Sequence, residues 1–191
     1  LLDAQTVMSG YEKCAEIKKD VLFIGEGWKM YNGEKGTVGM DQNYMTKTEK
    51  VAVFNDEFRD LAKAGGMSEA GQGFLTGKKV SIPDLFCNCS GKPVHNYSVT
   101  KPSSNVQYFA CHDGLTLHDS LVNNIPLDES TEEGKIEAVN RLKLANALLL
   151  TSQGIAFLHA GQERGRTKTA FTTAGTDDCE TIGNFVKNSY D

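Results

Sequence analysis

At 191 residues and a net charge of -5, with no cluster of Lys or Arg, the chain is long enough for one domain with a buried core and poorly suited to a nucleic-acid partner. No apolar run approaches the length of a membrane span, which argues against a membrane partner, and no charged-then-apolar leader opens the chain. The five cysteines are odd in number and scattered, a pattern of reduced thiols that favours a cytoplasmic setting over a secreted one.

The chain opens on Leu1 and ends in a polar run, so it reads as a piece of a longer protein, and the lack of a leader says little about export. Asp3 to Lys19 has helical spacing, with Val7, Met8, Tyr11, Cys14 and Ala15 on one face and Asp3 at the N-cap. Val21 to Ile24 is an apolar run with no polar alternation, which predicts a strand covered on both faces. It leads into Gly25, Glu26, Gly27 and Trp28, leaving a carboxylate at the strand's end without bulky neighbours. A Gly-rich connector over 29–50 precedes a second strand, Val51 to Phe54, which ends in Asn55 and Asp56. Glu57 to Ala64 is helical and closed by Gly65 and Gly66. Met67 to Ser104 holds three of the four prolines and reads as irregular loop.

Val106 to Cys111 is a third apolar strand, running into His112 and Asp113. Ile136 to Ser152 predicts a helix that is apolar nearly all round from Leu142 to Leu150, hence buried. Gly154 to His159 is the fourth strand. Alternating strands and helices with polar residues at the strands' carboxyl ends describe an α/β fold, part of a barrel or of a doubly wound sheet.

Glu26 and Asp113, at the ends of two parallel strands, can converge over one pocket. Glycoside hydrolysis needs one carboxyl to protonate the leaving oxygen and another carboxylate on the sugar. His112 offers a hydrogen-bond donor to a hydroxyl, and Trp28 a flat apolar face for a pyranose ring. Asn55 and Asp56, at the second strand's end, are further candidates for substrate contact. The competing structural reading makes Asp113 the N-cap of a helix over GLTLHDSL and His112 a hydrogen-bonded strand-end histidine. The lone Cys87-x-Cys89 pair is a poor zinc signal, so no metal site is assigned.

Four motifs taken together resemble type I pullulanases of the alpha-amylase superfamily: IGEGW at Ile24 to Trp28, VAVFNDEFRD at Val51 to Asp60, CHDGLTLHDSL at Cys111 to Leu121, and GIAFLHAGQERGRTK at Gly154 to Lys168. The resemblance covers almost the whole chain. It implies a (β/α)8 TIM barrel in which residues 1–191 supply the C-terminal part of the catalytic domain, strands five to eight. It also implies starch or glycogen debranching, the retaining hydrolysis of alpha-1,6-glucosidic bonds in pullulan, amylopectin or glycogen. Glu26 becomes the general acid/base, Asp113 the transition-state stabiliser and His112 a contact to the same sugar. The chain departs from the family pattern at Ile24, where Tyr is usual, and at Gly114, where Asn is usual, a change that bears on loop geometry more than on chemistry. No FRFD-type run carrying the nucleophile is present, which places that Asp upstream of Leu1 and makes the chain inactive by itself. No cofactor is required, and no EF-hand spacing supports a structural calcium ion. The partner is an alpha-glucan polysaccharide. Alternatives are a non-catalytic glucan-binding fragment, another hydrolase of the superfamily, and an HD-type metal phosphohydrolase built on His112 and Asp113, whose ligands would have to stand on helices.

Overall fold

The computed structural model describes residues 4–28, 41–46, 51–64, 69–99, 101–169 and 180–187. Four strands, β1 (Phe23–Gly25), β2 (Val51–Phe54), β3 (Asn105–Gln107) and β4 (Ile155–Ala156), form one sheet in the order β1-β2-β3-β4. Every pairing is parallel, with Ile24 opposite Ala52, Phe54 opposite Val106 and Gln107 opposite Ala156. Six helices are described: α1 (Ala4–Ile17), α2 (Gln42–Met45), α3 (Asp56–Ala62), α4 (Ile82–Cys89), α5 (Leu117–Asn124) and α6 (Glu132–Thr151). A short antiparallel hairpin, β5 (Thr181–Ile182) and β6 (Phe185–Val186), closes the described chain.

Parallel neighbours in register point their side chains the same way, and successive residues alternate. Phe23, Val51 and Val53 therefore share one face, where they meet Met8 and Tyr11 of α1 and Tyr97. Ile24, Phe54, Tyr108 and Phe157 belong to the other face. There Phe54 packs edge-on against Tyr108 and Phe157, with ring centroids 5.0 and 5.4 Å away. The larger core lies among α3 to α6, where Phe58, Leu75, Leu85, Phe109, Leu117, Leu121, Leu142 and Leu149 enclose one another. Each fully buried Leu or Phe contributes about 2 kcal/mol by removal from water.

Three carboxamides fasten the sheet to this helical layer. Asn55 Nδ2 donates to Asn88 Oδ1 of α4 (3.1 Å) and to Gln107 Oε1 of β3 (2.9 Å), while its Oδ1 caps α3 at the Phe58 amide. Gln107 Nε2 in turn donates to the carbonyls of Asn88 and Gln153. All three residues are fully buried, so Asn55 is structural and not the substrate contact its strand-end position suggests. Next to them Glu57 accepts four hydrogen bonds, from Asn88 Nδ2 and from the amides of Val94, His95 and Asn96, all at 2.7 to 2.8 Å. Burial alone would push its carboxyl up, but these four donors outweigh burial and hold it below the usual range.

Several expectations are corrected. The first strand is not covered on both faces: Leu22 and Ile24 are 46% and 47% exposed. The continuous apolar run belongs to a strand whose second face has no cover among the described residues beside those two positions. The long helix α6 buries only a stripe, Ala138, Leu142, Ala145 and Leu149, while Leu144 and Leu150 face solvent, because α6 packs through one side. Residues 67–104 are not all irregular. Ser81 caps α4 at the Asp84 amide, and Pro83 sits in the first turn, where its missing N–H costs nothing. The third strand ends at Gln107 rather than Cys111, and the fourth at Ala156 rather than His159. Helix α3 ends with Lys63 as its C-cap, and the proposed Gly65-Gly66 stop and Asp3 cap lie outside the described residues.

Asn55→Ala removes a helix cap and leaves the buried oxygens of Asn88 and Gln107 short of a donor. It should cost about 2 to 5 kcal/mol, read as a lowered urea midpoint of the full-length protein. Because the Glu57 carboxyl titrates below its unfolded value, its stabilisation is complete above the unfolded pKa and disappears as pH falls through the folded one. Glu57→Gln should thus lower the thermal midpoint at neutral pH, with the gap to wild type closing as the buffer is taken below the ordinary carboxylate range.

Candidate functional site at the carboxyl end of the sheet

In a parallel sheet the backbone leaves every strand at the same edge, and side chains from distant stretches of sequence gather there. Glu26 follows directly on Gly25, the last residue of β1, and is exposed. Partial burial of its carboxyl, which a general acid calls for, is not supplied by the described residues. Trp28, two residues on, is 37% exposed and bridges antiparallel to Asp41.

Beyond β3 the chain runs through the buried Tyr108, Phe109 and Ala110 before it surfaces at His112 and Asp113, whose side chains are 55% and 57% exposed. His112 Nε2 stands 3.5 Å from Asp113 Oδ1. The N-cap of α5 is Thr116, which accepts from the Asp119 amide at 3.1 Å, so Asp113 is not the cap that the structural reading made it. The Cys111 thiol donates to the Asp113 carbonyl at 3.5 Å.

The segment after β4 adds His159 and Arg166, with Arg166 Nη1 3.4 Å from His159 Nε2. Burial pushes the His159 imidazole below its ordinary value, and the charges of Arg166, Lys168 and His112 push the same way. The ends of β3 and β4 are thus within electrostatic reach of each other. Asp56, beyond β2, is half-buried, and its Oδ1 accepts from Gln42 Nε2 (2.8 Å) and Asn96 Nδ2 (3.1 Å).

A cleft of about 260 Å³ opens between α3, α4 and the 94–96 turn, lined by Glu57, Asp60, Leu61, Asp84, His95 and Asn96. It contains neither Glu26 nor Asp113. Its most prominent acid, Glu57, already has its oxygens bound by backbone amides and Asn88. Among the described residues no group of three or more His, Cys, Asp or Glu side chains is arranged to hold a metal ion.

The residues that sequence reasoning missed lie beneath the exposed turn. Lys168, buried, donates from Nζ to the carbonyl of Gly114 at 2.9 Å, and Lys63 and Glu69 form a buried ion pair, also at 2.9 Å. Their charged side chains would have been assigned to solvent on composition alone, and only their partners reveal them.

No protein-family model matches the chain. It is 38% identical over 168 residues to pullulanase A of Streptococcus pneumoniae, a match spanning 87% of this chain and 13% of that protein. The catalytic module of the multi-modular glycogen-degrading pneumococcal virulence factor SpuA superposes with a TM-score of 0.86 at 34% identity, over 99% of this chain and 29% of that one. The pullulanase SAP of Group B Streptococcus, solved in complex with maltotetraose, matches with a TM-score of 0.86 at 34% identity, over 99% of this chain and 26% of that one. Over most of its length, therefore, this α/β chain with its four-stranded parallel sheet is a homologue of the pullulanases, spanning a small part of their length.

Proposed function

We propose that, in the full-length protein, this chain forms strands five to eight of a catalytic (β/α)8 barrel that hydrolyses alpha-1,6-glucosidic bonds in pullulan, amylopectin or glycogen with retention. The observation that carries the reading is the position of Glu26 and of His112 with Asp113, exposed beyond the ends of β1 and β3 on one edge of a single parallel sheet. The half-exposed Leu22 and Ile24 support a barrel, since further strands curling round would bring that face into an interior. The maltotetraose complex of the streptococcal relative supports an alpha-glucan substrate.

In this mechanism the Glu26 carboxyl gives its proton to the glycosidic oxygen as the leaving chain departs. A carboxylate from a part of the protein outside this chain attacks the anomeric carbon. Glu26, now a carboxylate, takes a proton from water, which attacks the same carbon and releases the glycosyl group from the nucleophile. Asp113 stabilises positive charge on the sugar in both steps, and His112 donates to a hydroxyl of that ring. Trp28 offers its exposed face as a stacking platform on the rim. No cofactor takes part. The Glu26 carboxyl acquires its burial from the remaining barrel and the bound glucan.

Glu26→Gln in the full-length protein should lower kcat on pullulan by roughly two to four orders of magnitude while glucan still binds, because the amide cannot give or take the proton. Asp113→Asn should likewise lower kcat far more than it raises KM, since the lost charge acts on the transition state. Reducing-end release measured beside maltotetraose binding separates the effects. Turnover near wild type in Glu26→Gln would remove that residue from the role, and an inactive wild type that still binds maltotetraose would favour a glucan-binding function.

A further inference from the structure

Gly114 follows the exposed His112 and Asp113 and is itself buried, with φ at +75°, a conformation in which side chains are rare. A Cβ built on it would overlap Glu69 Oε1 and lie 3.0 Å from Glu69 Cδ. A glutamate normally swings away from such a contact, but this one is fastened. Its Oε2 accepts from Lys63 Nζ at 2.9 Å, with side chains only 5% and 2% exposed, and its own carbonyl accepts from Asn124 Nδ2 of α5. Its backbone is also held at a positive φ of 52°.

From a second direction Lys168 Nζ donates to the Gly114 carbonyl at 2.9 Å and to the Lys187 carbonyl at 3.3 Å. The Lys168 amide donates to Asp119 Oδ2 at 2.8 Å, and Asp119, fully buried, also accepts from the Thr167 hydroxyl. Four charges of alternating sign, Lys63, Glu69, Lys168 and Asp119, thus lie buried behind one exposed turn. Buried charges are a poor way to gain stability compared with apolar packing, so their presence at this place is better accounted for by geometry than by stability.

We propose that Glu69 and Lys168 are positioning residues for the proposed Asp113 carboxylate. Glu69 fills, from a separate loop, the volume that a side chain at position 114 would occupy, so that glycine at 114 and glutamate at 69 operate as a matched pair. Lys168 fixes the carbonyl on the other side of the same residue. The turn is clamped between a carboxylate at the Gly114 Cα and an ammonium at its oxygen, which limits the directions in which the adjoining Asp113 can point. The proposal rests on the debranching reading for its catalytic consequence.

The test uses the full-length protein and pullulan. Gly114→Asn keeps a residue type that tolerates positive φ but places a Cβ against Glu69. It should lower kcat on the order of tenfold to a hundredfold and change KM less than about threefold, the range expected for a displaced catalytic group. Adding Glu69→Ala frees that volume, lets the carboxamide introduced at 114 accept from Lys63, and should recover most of the lost kcat. Adding Glu69→Gln, which keeps the volume, should recover none. This contrast separates positioning from general destabilisation, and it survives if Gly114→Asn alone fails to fold. Lys168→Met should lower kcat with KM little changed. Wild-type kcat in Gly114→Asn, or equal activity in the two double variants, overturns the proposal. An inactive wild type would instead defeat the debranching reading, and the pairing would then be read from thermal midpoints, where recovery by Glu69→Ala but not Glu69→Gln supports it and equal midpoints refute it.

Discussion

The exchange of hydrogen bonds among Asn55, Asn88 and Gln107 is the constraint on which the rest of the architecture depends. Strands of only two to four paired residues define their register weakly by themselves. Three buried carboxamides with matched donors and acceptors permit one alignment of β2, β3 and α4, because a slip by one residue would turn Asn55 and Gln107 to the opposite face and leave polar groups unpaired in the interior. Glu57 extends the same lock outward by gathering the 94–96 amides onto α3.

That lock lies below the sheet's carboxyl edge, and the proposed site residues lie beyond it. Asn55, Asn88 and Gln107 are fully buried and bonded to other protein groups, whereas Glu26, Trp28, His112 and Asp113 are exposed. Asn55 stands at the end of a strand just as Glu26 does, yet it belongs to the scaffold because it is fully buried and its bonds go to Asn88 and Gln107. Position at a strand's end therefore does not by itself separate a candidate site residue from a scaffold one. What distinguishes Asn55 from Glu26, His112 and Asp113 is its complete burial.

The turn that bears Asp113 joins the two regions. It is exposed, but the residues behind it are charged and buried, with Lys63 and Glu69 ion-paired and Lys168 bonded to the Gly114 carbonyl. The Lys63–Glu69 pair tolerates little change in volume, since neither member can leave without stranding the other's charge. The main chain at Gly114 meets Glu69 on one side and Lys168 on the other, so the usual freedom of a glycine is removed by its surroundings.

Local signals determined much of this protein. The apolar run at Val51 to Phe54 has no polar alternation and became a nearly fully buried strand of a parallel sheet, whereas β3 is the alternating Asn105-Val106-Gln107. The motifs around Glu26 and His112-Asp113 carried the resemblance to pullulanases, and the chain's identity to pullulanase A agrees with that resemblance. Helix α4 carried a readable start in Ser81 and Pro83 that was obscured by the surrounding prolines and glycines. The roles of Asn55, Glu57, Glu69 and Lys168 could not be read in advance, because a polar side chain's role depends on which partner the folded chain brings to it, and those partners lie 6 to 54 positions away. Sequence determines which stretches must be buried; tertiary structure alone decides which buried charges and amides meet, because hydrogen bonds are directional and short while hydrophobic burial is neither.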